Sequence, residues 1–174
     1  MKKFHAILVA SLAFILLNCS PISVKSDYDQ GVDFSSYKTF GWVDMKNAAG
    51  PIHRNPVMAG QVRAAVEREM QAKGFTKTDG DNADLKIAFH AGVKDKIDVT
   101  THGYGYWRRR GPHVVAVDVH QYKEGTLVLD FVDTKEKQLV WRGWGTGVIG
   151  DPSEAVEKIG KAVTKILEKF PPQG

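Results

Sequence analysis

The sequence predicts an α+β fold, a mostly antiparallel sheet with two amphipathic helices packed on it, in the order β-β-α-β-β-β-β-α. Two stretches place apolar residues at helical spacing: Met58, Val62, Ala65-Val66 and Met70, and later Ala155-Val156, Ile159, Ala162-Val163, Ile166-Leu167 and Phe170. Each makes one stripe of a 3.6-residue helix. Around them lie segments in which apolar and polar residues alternate, the period of a strand that buries one face. Helices with a single apolar stripe need a sheet to cover it, and runs of consecutive strands argue for α+β.

The elements follow in order. Residues 21–29 alternate Ile22, Val24, Ser26 and Tyr28 against polar neighbours, and predict the first strand. Phe34-Ser35-Ser36-Tyr37 reads as a turn and Thr39-Phe40-Gly41-Trp42-Val43 as a second strand. A polar loop containing glycine and proline runs to Pro56, and a helix follows over Val57 to Lys73, ended by Gly74 at the C′ position. Leu85, Ile87, Phe89, Ala91, Val93, Ile97 and Val99 then face one way. Lys86, His90, Lys94, Lys96 and Asp98 face the other, which predicts a long one-sided strand.

Val114 to Tyr122 and Leu127 to Asp133, joined by Lys123-Glu124-Gly125, are expected to form a hairpin. After a turn at Thr134 to Lys137, Leu139 to Val148 predicts another strand, with its glycines marking twist or a bulge. Asp151-Pro152-Ser153-Glu154 opens the last helix with a capping carboxylate, a proline at the first position and a glutamate three residues after the cap. Pro171-Pro172 stops it.

The N-terminus precedes all of this and has a different character. Met1-Lys2-Lys3 is followed by the apolar run Ala6 to Leu17 and then Asn18-Cys19-Ser20. A positive start and an apolar run of about 12 residues are those of a signal peptide, too short for the roughly 20 that span a bilayer. Cys19 is the only cysteine. Its thiol can accept a diacylglyceryl group, and the setting resembles the bacterial lipobox, with Leu16 three residues before the cysteine. Asn18 departs from that pattern, since a small residue is usual there. A lone cysteine excludes an intramolecular disulfide.

The domain expectation is therefore a signal peptide over 1–18 and one α+β lipoprotein domain over 19–174. Cleavage before Cys19 leaves 174 less 18, or 156 residues, about one domain. Formal charge falls from +4 to +2 as Lys2 and Lys3 leave. The only basic cluster is Arg108-Arg109-Arg110, so nucleic acid is not an expected partner.

Motifs for chemistry are sparse. There is no phosphate-binding Walker loop, no His-Glu-x-x-His and no Gly-x-Ser-x-Gly. If the hairpin pairs around Glu124, Asp118 faces Asp130 and His120 faces Val128. Opposed carboxylates repel unless a metal, a shared proton or a nearby arginine compensates them. A metal-assisted enzyme using Asp118, His120 and Asp130 is thus one reading, against a register slip of one residue or pairing with Arg142 or a lysine of the next strand on a solvated face. In the segment 102–112, Tyr104, Tyr106, Trp107 and Arg109 interleave aromatics with glycine and arginine. Such a loop could stack on a glycan or a peptide. Trp141 and Trp144 lie on opposite faces of a regular strand, with core packing expected for at least one.

Asp27-Tyr28-Asp29, Asp33 to Trp42, Ala83-Asp84-Leu85, Tyr122, Glu124 to Asp130, Val132-Asp133, Leu139 to Gly143 and Phe170-Pro171-Pro172 together resemble the bacterial lipoprotein family numbered 4136 among domains of unknown function. The resemblance covers nearly all of the mature chain. It implies this topology and an envelope location, and it assigns no catalytic residue. The expected function is a non-enzymatic binding or structural module of the cell envelope, without cofactor. Cys19 would be its anchor in the outer membrane, facing the periplasm, with an envelope protein or glycan as partner. Ser20 after the cysteine resembles release to the outer membrane.

Overall fold

The computed structural model describes residues 22–44, 52, 55–79, 82–103, 115–150 and 155–172. Among these, β1 (Ser23–Tyr28), β2 (Thr39–Trp42), α1 (Pro56–Ala72), β3 (Thr76–Lys77), β4 (Leu85–Gly103), β5 (Val115–Asp133), β6 (Leu139–Ile149) and α2 (Ala155–Leu167) follow one another, with a 3₁₀ turn at Phe34–Ser36. The strands lie in the order β1-β6-β5-β4-β2-β3. β1, β6, β5 and β4 are antiparallel neighbours, whereas β4, β2 and β3 run parallel. The sheet is therefore mixed, and the antiparallel expectation holds only for that four-strand part.

Local chemistry sets the helix ends. Asn55 Oδ1 accepts the Met58 N–H at 3.2 Å and Pro56 occupies the first turn of α1, a start signal one residue before the expected one. At the other end the Gly74 N–H reaches the Gln71 carbonyl at 2.9 Å and the Phe75 N–H the Met70 carbonyl at 3.0 Å. That double closure needs a left-handed residue, and Gly74 has φ +88. The stripe Val62, Ala65, Val66 and Met70 is buried as its spacing requires, as are Ala162, Val163, Ile166 and Leu167 of α2. The cap expected at 151–154 lies outside the described residues.

Both helices cover one face of the sheet, the side of Leu85, Ile87, Phe89, Leu129, Phe131 and Trp141. Thr164 Oγ1 donates to Glu69 Oε1 at 2.8 Å and ties α2 to α1. Gly143 lets α2 close on β6, because a Cβ there would strike Ile166 and the Trp141 indole. The β6 glycine at this position thus serves a close approach rather than a twist. Trp141 is fully buried and Trp144 half-buried on the opposite face.

Two strand expectations are corrected. The hairpin over 114–133 does not exist: β5 is one strand of 19 residues, paired along its whole length with the 19 residues of β4. Lys123-Glu124-Gly125 contains no reversal, and Gly125 sits between Val93 and Gly147 with the Ile149 side chain lying over it. A glycine inside a strand can mark such a close approach as readily as a turn. The second correction is β3, two residues that no periodicity could reveal. The merged hairpin and the added strand offset each other, so the expected order of elements coincides with the observed one.

Candidate functional site

The register of β5 decides the fate of the carboxylate pair. Asp118 and Asp130 lie 12 residues apart on a single strand, about 40 Å at roughly 3.3 Å per residue. Asp118 pairs with Thr100 and His120 with Asp98. The metal-assisted reading of Asp118, His120 and Asp130 is contradicted, and among the described residues no group of three or more His, Cys, Asp or Glu side chains is placed to hold a metal ion.

Asp130 instead pairs with Arg142 across β5 and β6, Nε to Oδ1 at 2.5 Å and Nη2 to Oδ2 at 2.8 Å. His90 Nε2 approaches the same carboxylate at 3.7 Å. The arginine was among the sequence alternatives, and here it compensates one carboxylate rather than two. A carboxylate already holding a bidentate guanidinium is a structural clasp on the face away from the helices.

Two further aspartates act at the base of the sheet. Asp84 Oδ2 accepts the Lys38 and Thr39 N–H groups and the Thr39 hydroxyl at 2.8–3.0 Å, fastening the start of β2 to β4. Asp133 Oδ2 accepts the Tyr37 hydroxyl at 2.7 Å, while its Oδ1 accepts the Lys135 and Glu136 N–H groups. Sequence reasoning gave none of these a role. The short spacing from Asp133 to Lys135-Glu136, typical of an aspartate that folds its own turn, was the available signal.

The Lys38 N–H, helped by Thr39 and opposed by burial, holds Asp84 below its usual pKa of 3.8. Burial would raise Asp133, but the Glu136 N–H, the Tyr37 hydroxyl and the Lys135 N–H outweigh it and hold that group low too. Burial, then the Asp133 carboxylate, push the Tyr37 phenol up. A lowered folded pKa stabilises above the unfolded value and is lost as pH falls through the folded one; a raised pKa stabilises below the unfolded value and is lost as pH rises. The urea midpoint is therefore expected to be flat between about pH 5 and 9, and to fall below about pH 4 and above about pH 10. Asp84→Asn should flatten the acid limb and Tyr37→Phe the alkaline one; unchanged limbs would refute these assignments.

The remaining feature is an arm. β6 last pairs with β5 at Lys123↔Ile149, and β2 last pairs with β4 at Trp42↔Ile87. From Lys96↔Tyr122 to Gly103↔Val115 the eight pairs of β4 and β5 have only each other among the described residues, a ribbon about 25 Å long at roughly 3.3 Å per residue. Its two faces keep the phase of the sheet. On the helix side Ile97 is 64% exposed, Val99 56% and Val119 53%, with Val93 at the base 55%, and the exposed Asp95, Lys123 and Gln121 lie among them. Lys94, Lys96, Tyr122 and Glu124 occupy the other face, Lys96 Nζ lying 3.6 Å from Glu124 Oε1. The one-sided pattern of 85–99 was legible in the sequence, and what was not is that α1 and α2 end short of its outer half.

The chain enters the sheet at this same end. Ser23 of β1 pairs with Thr146, which pairs with Thr126, which in turn pairs with Gly92 near the root of the arm. Cys19 precedes Ser23 by four residues and lies outside the described residues, as do Tyr104, Tyr106, Trp107 and Arg109 between the two arm strands. No helix among the described residues is long and apolar enough to cross a membrane.

Comparisons with known proteins bear on the fold. A PDZ domain protein from Parabacteroides distasonis matches with a TM-score of 0.61 at 15% identity, over 96% of this chain and 40% of that one. This chain thus spans about two fifths of that protein's length. PelC from Paraburkholderia phytofirmans, described as a dodecamer, matches with a TM-score of 0.53 at 10% identity, over 88% of this chain and 100% of that one. At such identities the likeness is one of fold. No curated protein matches the chain. One family model matches residues 24–172, which takes in all the strands and helices described above except the first residue of β1, and the chain belongs to that family, described as Domain of unknown function (DUF4136).

Proposed function

We propose that the protein is a non-enzymatic module of the bacterial cell envelope, exported on residues 1–18 and held by lipid on Cys19 at the periplasmic face of the outer membrane. The observation that carries this reading is the short distance from anchor to fold. β1 begins at Ser23, so only Ser20, Pro21 and Ile22 separate Cys19 from the sheet. Such a tether keeps the domain at the lipid surface.

Supporting it are the apolar run ahead of a single cysteine and the absence of any disulfide role for that cysteine. A chain carrying more than one acyl group is stably anchored, whereas one alone is marginal. The Asp130–Arg142, Asp84–Thr39 and Asp133–Tyr37 contacts give these polar groups structural partners. The envelope partner we propose is a protein or glycan, not nucleic acid. PelC is described as a dodecamer, and assembly of that kind is compatible with a binding or structural role.

Cell fractionation tests the anchor. The wild-type chain is expected in the detergent-soluble membrane fraction, and Cys19→Ala is expected to move most of it to the soluble or unprocessed pool. If the Cys19→Ala chain is processed and stays in the membrane, the lipid anchor is refuted.

A further inference from the structure

We infer that the β4–β5 arm is a lipid-contact element that lies along the membrane surface, its Val93, Ile97, Val99 and Val119 face turned to the bilayer. The inference rests on the Cys19 anchor proposed above, and reach and direction carry it. β1 is antiparallel to β6, so its N-terminal end and the root of the arm are at the same end of the sheet. The Ile22 side chain packs beside Gly147, level with Gly125 and Val93. From Ile22 to Cys19 there are three residues, at most about 10 Å of extended chain. Three residues also separate Val93 from Lys96, where the two-stranded part begins. Even fully stretched toward the arm, the anchor reaches only the arm's root.

The arm then continues for about 25 Å beyond any point the anchor can occupy, at roughly 3.3 Å per residue. A bilayer meeting Cys19 would be pierced by an upright arm. Piercing is disfavoured, because both strands have open edges among the described residues and unpaired backbone N–H and C=O groups are not tolerated in hydrocarbon. An arm laid along the headgroup region keeps its edges wet. One face presents Val93, Ile97, Val99 and Val119, each more than half exposed, around the exposed cross-strand pair Asp95 and Lys123, with Gln121 opposite Ile97; the other carries Lys94, Lys96 and Glu124.

A fluorescent label reports the contact without the anchor. In the mature chain with Cys19→Ala, Ile97→Cys or Lys94→Cys supplies a single thiol for an environment-sensitive nitrobenzoxadiazole dye. The probe is vesicles of phosphatidylethanolamine and phosphatidylglycerol, with and without nitroxide-labelled lipid. At position 97 the emission is expected to shift to the blue on adding vesicles and to be quenched at least twofold by the nitroxide lipid; at position 94 neither change is expected. Adding Val99→Asp and Val119→Asp should abolish the response at 97, while Val148→Asp, an equally exposed valine outside the arm, should leave it. No response at 97 up to millimolar lipid, or equal responses at 97 and 94, overturns the inference. A blue shift that needs no vesicles and disappears on dilution means that a second copy of the chain covers the face, and also overturns it. Because the labelled chain has no lipid, failure here is separate from failure of the Cys19 fractionation.

Discussion

Phe170→Ala is expected to cost about 3–5 kcal/mol of unfolding free energy, the range for a large aromatic removed from a closed core. Phe170 lies just beyond the end of α2 and is 1% exposed. Its ring stands 4.4 Å from Phe131, 5.2 Å from Trp141, 5.7 Å from Phe75 and 6.0 Å from Phe34, centroid to centroid. One side chain thus joins two central strands, the segment after α1 and the 3₁₀ turn. Truncation leaves a cavity walled by four aromatics that belong to different elements and cannot collapse together. For a domain whose total stability is about 5–15 kcal/mol, that loss is a large fraction. Urea denaturation of Phe170→Ala and Phe170→Leu measures it, the leucine retaining more than half of the lost stability. A loss under about 1 kcal/mol for alanine would show that the aromatic cluster is not the core of the fold.

Arg142→Met is expected to be the second most damaging change, at about 2 kcal/mol. The Asp130 side chain is 9% exposed and its oxygens are engaged by the guanidinium. Removing one partner of a buried pair costs roughly 3–5 kcal/mol because the other charge is stranded. Here the arginine side chain is 48% exposed, so water can enter behind it and lower that figure. The double change Asp130→Leu/Arg142→Met should come back to within about 1 kcal/mol of the wild type, since an apolar replacement of a buried pair is often neutral. If the double variant is as unstable as the single one, the pair is not the clasp described here. These sites are well apart from the arm, so neither change should alter its exposure.

How much of this was legible varied with the kind of signal. α1 and α2 were readable because Val62, Val66, Met70, Val163, Ile166 and Leu167 repeat at helical spacing, and Gly74 marked its turn by chemistry that few other residues satisfy. β4 was readable because one face alternates from Leu85 to Val99. β5 was misread because Lys123-Glu124-Gly125 is as compatible with a turn as with a strand that a neighbour's isoleucine crosses. What could have settled it was length, as a one-sided strand of that extent needs a partner of equal extent to satisfy its backbone. β3 depends on the tertiary placement of β2, fixed through Lys38 and Phe40 carbonyls, and has no pattern of its own.

The candidate site was legible only in part, for a physical reason. Alternation tells which residues share a face and says nothing of where covering helices stop, so Ile97 and Val99 looked like core. The Asp118, His120 and Asp130 grouping failed because it depended on a single register. Several segments that resemble the family, Asp33 to Trp42, Asp84 and Asp133, turn out to hold β2, β4 and the β5–β6 turn together. Recognising them therefore identified a fold, and the features that bear on function are the anchor and the arm.

The measurement that tests the central claim most directly is the intact mass of the chain purified from membranes after expression with its own N-terminus. The expected product begins at Cys19, comprises residues 19–174, and carries a diacylglyceryl group with an additional acyl chain on the amine. A product that retains residues 1–18, or that begins elsewhere with Cys19 unmodified or missing, would contradict it.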